Sequence, residues 1–197
     1  MTFDLIIAGG TLTDGTRADI GITGAKITAV APHLAAEAGQ RIDATGCLVA
    51  PPFVDAHFHM DATLSYGQPR INASGTLLEG IALWGELKPE LTHDAVVERA
   101  LAYCDWAVAM GLLAIRSHVD ICDDRLLAVD ALLDVKKRVA PYLDLQLVAF
   151  PQDGYLRSPA AAANLARALD RGVDIVGGIP HFERTMEEGR RSVELLV

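Results

Sequence analysis

The chain has 197 residues, 51% of them hydrophobic, with a formal net charge of −9 and a mean hydropathy of +0.25. That suffices for one domain, or a domain with a small appendage, around a sizeable core. No basic cluster is denser than Lys136, Lys137 and Arg138, which sit near the end of a predicted helix where cations are favourable anyway, so nucleic-acid polymers and anionic membranes are excluded as expected partners.

The opening segment, "MTFDLIIAGGTLTDGTR", carries Asp4 and no cation before Arg17, so it does not read as a signal peptide. No apolar run approaches the length of a membrane span. Cys47, Cys104 and Cys122 are odd in number and widely spaced, which fits buried thiols in a reduced, cytoplasmic protein. The absence of Cys-x-x-Cys also excludes the His-x-Glu…Pro-Cys-x-x-Cys zinc pattern.

Residues 1–52 read as a small β-rich domain. "DLIIAGGTLTD", "ADIGITGAKITAVAP" and "RIDATGCLVAP" are β-branched runs punctuated by Gly-Gly, Asp-Gly, Thr-Gly and Pro. From Phe53 the texture alternates. A strand, "FVDAHFH", precedes a long stretch rich in Gly, Asn, Ser and Pro that reads as irregular. Thr92 then caps a helix with an apolar stripe of Val97, Leu101, Cys104 and Val108, closed by Gly111. "LLAIRSHVD" is the next strand, and Asp123 or Asp124 is the expected cap of a helix that stops before Pro141. "LDLQLVAFPQ" follows, then an alanine-rich helix opened by Ser158 and Pro159 and ended by Gly172. "VDIVGGIP" is the last strand, and Thr185 with Glu187 and Glu188 starts the final helix.

Strands thus recur about every thirty residues, the length of a βα unit. Four such units require a parallel sheet, doubly wound or closed into a barrel. No Gly-x-Gly-x-x-Gly or P-loop follows any strand, which disfavours a nucleotide-binding sheet. The final helix ends "RRSVELLV" without cap or glycine, and a full eight-unit barrel needs about 250 residues. The expectation is a chain cut in mid-architecture.

Strict alternation along "PPFVDAHFHMD" puts Asp55, His57, His59 and Asp61 on one face and Val54, Ala56 and Phe58 on the other. The histidine Cα atoms would lie about 6.6 Å apart, within reach of one ion. Zinc-like divalent metals accept imidazole nitrogens, so His-x-His at a strand's carboxyl end makes a two-ligand clip, where barrels carry their active sites. Arg116, His118 and Asp120 share a face of the next strand, and Phe150 and Gln152 share one on the third. His118 and Asp120 are read as a satisfied pair supporting the interior in preference to a direct catalytic role. His181 is read as capping the following helix region, Gln152 as a substrate contact, and the cysteines and Met60 as packing.

Several segments carry a family resemblance: "GAKITAVAP…RIDATGCLVAPPFVDAHFHMD", "GQPRINASGTLLEGI", "IRSHVD", "LQLVAFPQDG" and "VGGIPHFE". Together they resemble the amidohydrolase superfamily, and within it the cytosine deaminase-like branch, with Pro52 replacing the more usual glycine. The resemblance covers almost the whole chain. It implies an α/β fold, the first half of a (β/α)8 TIM-type barrel over residues 53–197, preceded by the small β domain of residues 1–52. It implies His57 and His59 as ligands of one divalent metal, zinc or iron, and Gln152 as a substrate-binding residue, with Phe150, His118, Asp120 and His181 as pocket-lining candidates. The fourth strand, Val173 to Pro180, lacks the lysine that bridges two-metal relatives, so one ion is expected. The remaining metal-ligand aspartate and the general-acid glutamate are expected beyond Val197. The implied activity is metal-dependent hydrolytic deamination of a cytosine-like heterocycle with release of ammonia. Hydrolysis of a ring amide or N-alkylamine on a triazine-like ring, or a catalytically incomplete fragment, stand as alternatives. A small heterocyclic substrate is the expected partner, and homo-oligomerisation is left open.

Overall fold

β-Branched runs broken by glycine turns give five strands in the first fifty residues: β1 (Phe3–Leu12), β2 (Arg17–Thr23), β3 (Lys26–Ala31), β4 (Ala38–Asp43) and β5 (Leu48–Val49). The computed structural model describes residues 2–197, which divide into two units, one ending at Pro51 and the other running from Pro52 to Val197. In the first unit the sheet order is β3-β2-β1-β4; β1 is antiparallel to β2 and parallel to β4 and β5. Phe3, Ile6, Ala18 and Ile20 fill its small core. Gly21 is obligatory there, because a Cβ would sit 2.6 Å from the Phe3 ring. The buried Asp19 carboxylate accepts from Gly9 N at 2.8 Å and Leu34 N at 2.9 Å, and these bonds hold its pKa below the usual range.

The second unit is a parallel α/β layer. Its strands β6 (Phe53–Phe58), β7 (Leu112–Asp120), β8 (Asp144–Phe150) and β9 (Ile175–Val176) pair in sequence order, all parallel. The helices are α1 (Leu77–Leu87), α2 (His93–Ala109), α3 (Leu127–Val139), α4 (Ala161–Asp170) and α5 (Met186–Leu196). Ile115, Val119, Leu145 and Leu147 from the strands bury against Val96, Ala100, Leu132, Val135 and Ala168 from α2, α3 and α4. Each fully buried branched side chain contributes about 1.5–3 kcal/mol, and parallel pairing requires a crossover helix between successive strands. The edge strand β6 exposes Phe53 at 68% and Val54 at 67%.

The strand and helix order expected from the sequence is present, with four local differences. The stretch read as irregular contains α1, whose N-cap Thr76 accepts from Glu79 N at 3.3 Å. Neither Asp123 nor Asp124 caps α3. Its N-cap is Leu126, at φ 52°, and full burial of that leucine offsets about 1–2 kcal/mol of left-handed strain. Ser158 does not cap α4 by side chain; its carbonyl accepts from Ala161 N at 3.1 Å in the preceding turn. The fourth strand shortens to Ile175–Val176 because glycines follow it, and a Cβ on Gly177 would meet Val148 at 2.6 Å. By contrast, Thr92, Gly111 (φ 81°), Gly172 (φ 108°) and Thr185 bound their helices as expected. Among the described residues no helix is long and apolar enough to cross a membrane.

Candidate active site

The histidines reach one face by a route that alternation misses. In β6, Asp55 pairs with Ile115 and Phe58 with Ser117, so three steps on β6 span two on β7. The extra residue makes a β-bulge. Asp55 therefore lies on the helix-covered side with Ile115, not beside the histidines, and its carboxylate accepts from His57 N at 3.1 Å. Phe58 also faces the helices and stacks on Tyr103 of α2, ring centroids 4.2 Å apart. His57 is left free to meet His59 on the opposite face.

Three imidazoles gather there. His57 and His59 have centroids 5.4 Å apart, and His118 of β7 stacks on His57 at 4.0 Å and lies 5.5 Å from His59. Phe150, at the end of β8, sets its ring perpendicular to His118 at 5.2 Å and edge-on to His59 at 5.4 Å. Burial, then the charge of neighbouring histidines, pushes His118 down to about 4, and the same causes lower His59. Both shifts favour the neutral ring, the form in which imidazole ligates metals.

Beside them a recess is lined by His59, Asp61, Leu77, Ile81, Trp84 and Gln152. Gln152 stands two residues past β8, its N–H held by the Phe150 carbonyl at 2.9 Å. Asp61 is fully buried in the turn after β6; it accepts from Asp120 N at 2.9 Å, and burial pushes its carboxyl up to about 7. Arg99 of α2 donates to the Asp61 and Thr63 carbonyls at 3.0 and 2.9 Å, tying this turn to the core.

Asp120 does not pair with His118, contrary to the expected satisfied pair. It accepts from Trp84 Nε1 at 2.7 Å, Cys122 N at 2.7 Å and Lys88 Nζ at 2.7 Å. His118 Nδ1 is buried without a hydrogen-bond partner. Lys88 also reaches Asp153, next to Gln152, at 2.7 Å. Burial works against its charge, but Asp120 and Asp153 outweigh burial and hold its pKa above the usual amine range. His181 stays apart from the ring cluster: it lies exposed in a 3-10 turn (Pro180–Phe182) and lines a different recess with Met186 and Val193. Nor does His181 cap α5, since Thr185 does. Glu183, two residues on, accepts from Tyr155, Leu156 and Arg157 N–H groups at 2.6–3.1 Å and fixes the loop after Gln152.

The donor set fits half of a metal site. His57 and His59 present two tilted imidazoles on one face, but no group of three or more His, Cys, Asp or Glu side chains that could hold an ion is found among the described residues. Trp84 and Lys88 were not singled out by the sequence reading, because α1 was not recognised. The signal was available in "TLLE", the Thr-x-x-Glu start of a capped helix.

The amidohydrolase family model (Amidohydro_3) matches residues 40–188. N-isopropylammelide isopropyl amidohydrolase of Pseudomonas sp. strain ADP is 33% identical over 183 residues, covering 90% of this chain and 45% of that protein. A crystal structure of 5-methylcytosine deaminase from Klebsiella pneumoniae liganded with 5-fluorocytosine superposes with a TM-score of 0.90 at 40% identity, covering 97% of this chain and 47% of that one. N-isopropylammelide isopropylaminohydrolase from Burkholderia multivorans gives 0.75 at 29% identity, covering 98% and 48%. The chain spans about half the length of these relatives.

Proposed function

The chain belongs to the amidohydrolase family, in its cytosine deaminase-like branch, and from that premise we propose that it forms part of a metal-dependent aminohydrolase that deaminates a cytosine-like nitrogen heterocycle. The small β domain of residues 1–52 and the first four βα units of a (β/α)8 barrel, residues 53–197, are its contribution. The observation that carries the reading is the convergence of His57 and His59 after β6, His118 on β7, and Phe150 and Gln152 at the end of β8, at the carboxyl ends of parallel strands and beside one recess.

His57 and His59 would hold one divalent ion, with zinc and iron both suited to imidazole and carboxylate donors. Such an ion, when bound, lowers the pKa of a water molecule towards neutrality and so supplies the nucleophile. The chain's own residues bind and orient the ring. The Gln152 carboxamide both donates and accepts, matching the amide-like edge of a pyrimidine. Trp84, Leu77 and Ile81 border the space with apolar surface. Phe150 also keeps His59 and His118 in place through its edge contacts. The further metal-ligand aspartate and the general-acid glutamate expected of this branch belong, in this reading, to strands outside the 197-residue sequence.

The test is metal content. Protein carrying this sequence should hold about one zinc or iron per chain, falling to background in the His57→Ala/His59→Ala double variant; an unchanged metal content would refute the clip. The similarity to the N-isopropylammelide enzymes supports a second reading, removal of an alkylamine from a triazine-like ring. Ammonia release from cytosine against isopropylamine release from N-isopropylammelide separates the two.

A further inference from the structure

Trp84 stands between two recesses. One is the heterocycle site of His59, Asp61 and Gln152, roughly 200 Å³. The other lies behind it, roughly 190 Å³, with a polar wall of Ser65, Gln68, Arg70 and Asn72. Only Ala62, Gly80 and Trp84 line both, and of these only Trp84 has a side chain large enough to divide them. The indole is not free to swing. Its Nε1–H donates to Asp120 Oδ2 at 2.7 Å, and the same oxygen takes Lys88 Nζ at 2.7 Å. The Asp120 side chain is 2% exposed and that of Lys88 11%, so neither partner is readily exchanged for water. Lys88 also grips Asp153, next in sequence to Gln152, so one ammonium ties the wall to the residue across the recess.

We propose that Trp84 is the specificity-determining wall of the heterocycle site: anchored by Asp120 and Lys88, it closes that site off from the polar recess behind and limits the size of substituent the bound ring can carry. Lys88 and Asp120 act as positioning residues, since they reach the ring only through Trp84 and the Gln152 turn. The inference deepens the reading of the site as a heterocycle pocket and rests on it.

Two measurements decide it. In a Trp106→Phe background, which removes an exposed tryptophan far from the recess in sequence and leaves Trp84 as sole reporter, acrylamide should quench Trp84 weakly. Lys88→Met and Asp120→Asn should each raise the quenching constant several-fold; unchanged quenching in both would overturn the anchoring. Equilibrium binding to protein carrying this sequence, in the form used for the metal measurement, then compares cytosine with N4-isopropylcytosine. Wild type should prefer cytosine at least tenfold, and Trp84→Ala should erase or reverse that preference as the two recesses merge. Trp84→Phe, which keeps a ring but loses the Nε1–H, should relax the preference by a smaller factor and guards against collapse of the alanine variant. Retained cytosine binding with an unshifted preference in both variants overturns the wall alone. Failure of wild type to bind either ring counts against the heterocycle reading itself, and with it against any substituent limit.

Discussion

The two ends of the parallel sheet use the same residue types under opposite conditions. At the amino end, Arg116 donates to Gln146 at 2.6 Å and Lys136 meets Asp174 at 2.5 Å, in an open recess where both members of the ion pair are 31% exposed. At the carboxyl end, Lys88 meets Asp120 at 2.7 Å with almost no water on the carboxylate, beside two histidines with lowered pKa values and an aspartate pushed up to about 7. Distance does not separate these pairs; hydration does. A wet pair contributes up to about 1 kcal/mol and is screened by salt. A dry one is costly to break, because the surviving partner is stranded. The carboxyl end thus carries the perturbed groups that chemistry needs, and the amino end carries replaceable ones.

That contrast is open to experiment. Its largest expression is at Cys122, just past β7, whose thiol is pushed up to about 12, chiefly by burial and then by Asp120. Against an ordinary thiol near 9, that is roughly a thousandfold less thiolate at neutral pH. With Cys47 and Cys104 replaced by serine, alkylation of Cys122 in the folded chain should be slower than in urea by about that factor, and should still be rising at pH 10. The sign follows from linkage: the folded state holds this proton more tightly, so the thiol's contribution to stability is lost as pH rises from about 9 to 12. Rapid labelling at neutral pH would break the contrast.

Next in size, Asp120→Ala should destabilise the chain by about 3–5 kcal/mol in urea unfolding, because Trp84 Nε1–H and Cys122 N–H lose their acceptor and Lys88 keeps only the half-exposed Asp153 as partner. The double change Asp120→Leu/Lys88→Met should recover much of that loss, and failure to recover would move the cost from stranded charge to packing. The smallest effect is expected at the other end. Lys136→Ala should cost no more than about 1 kcal/mol, and the difference should shrink in 1 M salt. A loss as large as that of Asp120→Ala would mean that the amino end is as dry as the carboxyl end.

What was legible in the sequence follows from how local each cause is. Thr92, Gly111, Thr185 and the strand runs act over a few residues, and a sequence carries such causes openly. That His57 and His59 share a face was legible for the same reason. The companions of Asp120 were not, since Trp84 on α1 and Lys88 just after it lie 36 and 32 positions away among loop-like residues. Leu126 was missed as a helix start because its left-handed backbone is favoured by burial, a tertiary cause, where an aspartate would have been the local choice. Asp55 was placed on the wrong face because periodicity cannot announce an inserted residue.

That inserted residue has a mechanical meaning. Below it β6 keeps time with Ile115, and above it with Ser117, one beat out of phase. A second shift, between Phe53 and Val54, runs the other way, so Phe53 against Leu112 and Phe58 against Ser117 are back in step. The histidines answer to Phe58, keyed against Tyr103, and to the Ser117 hydroxyl that accepts from Met60 N at 2.9 Å. The two opposed shifts confine the irregularity to residues 54–57, and the head of the strand is held by contacts above it.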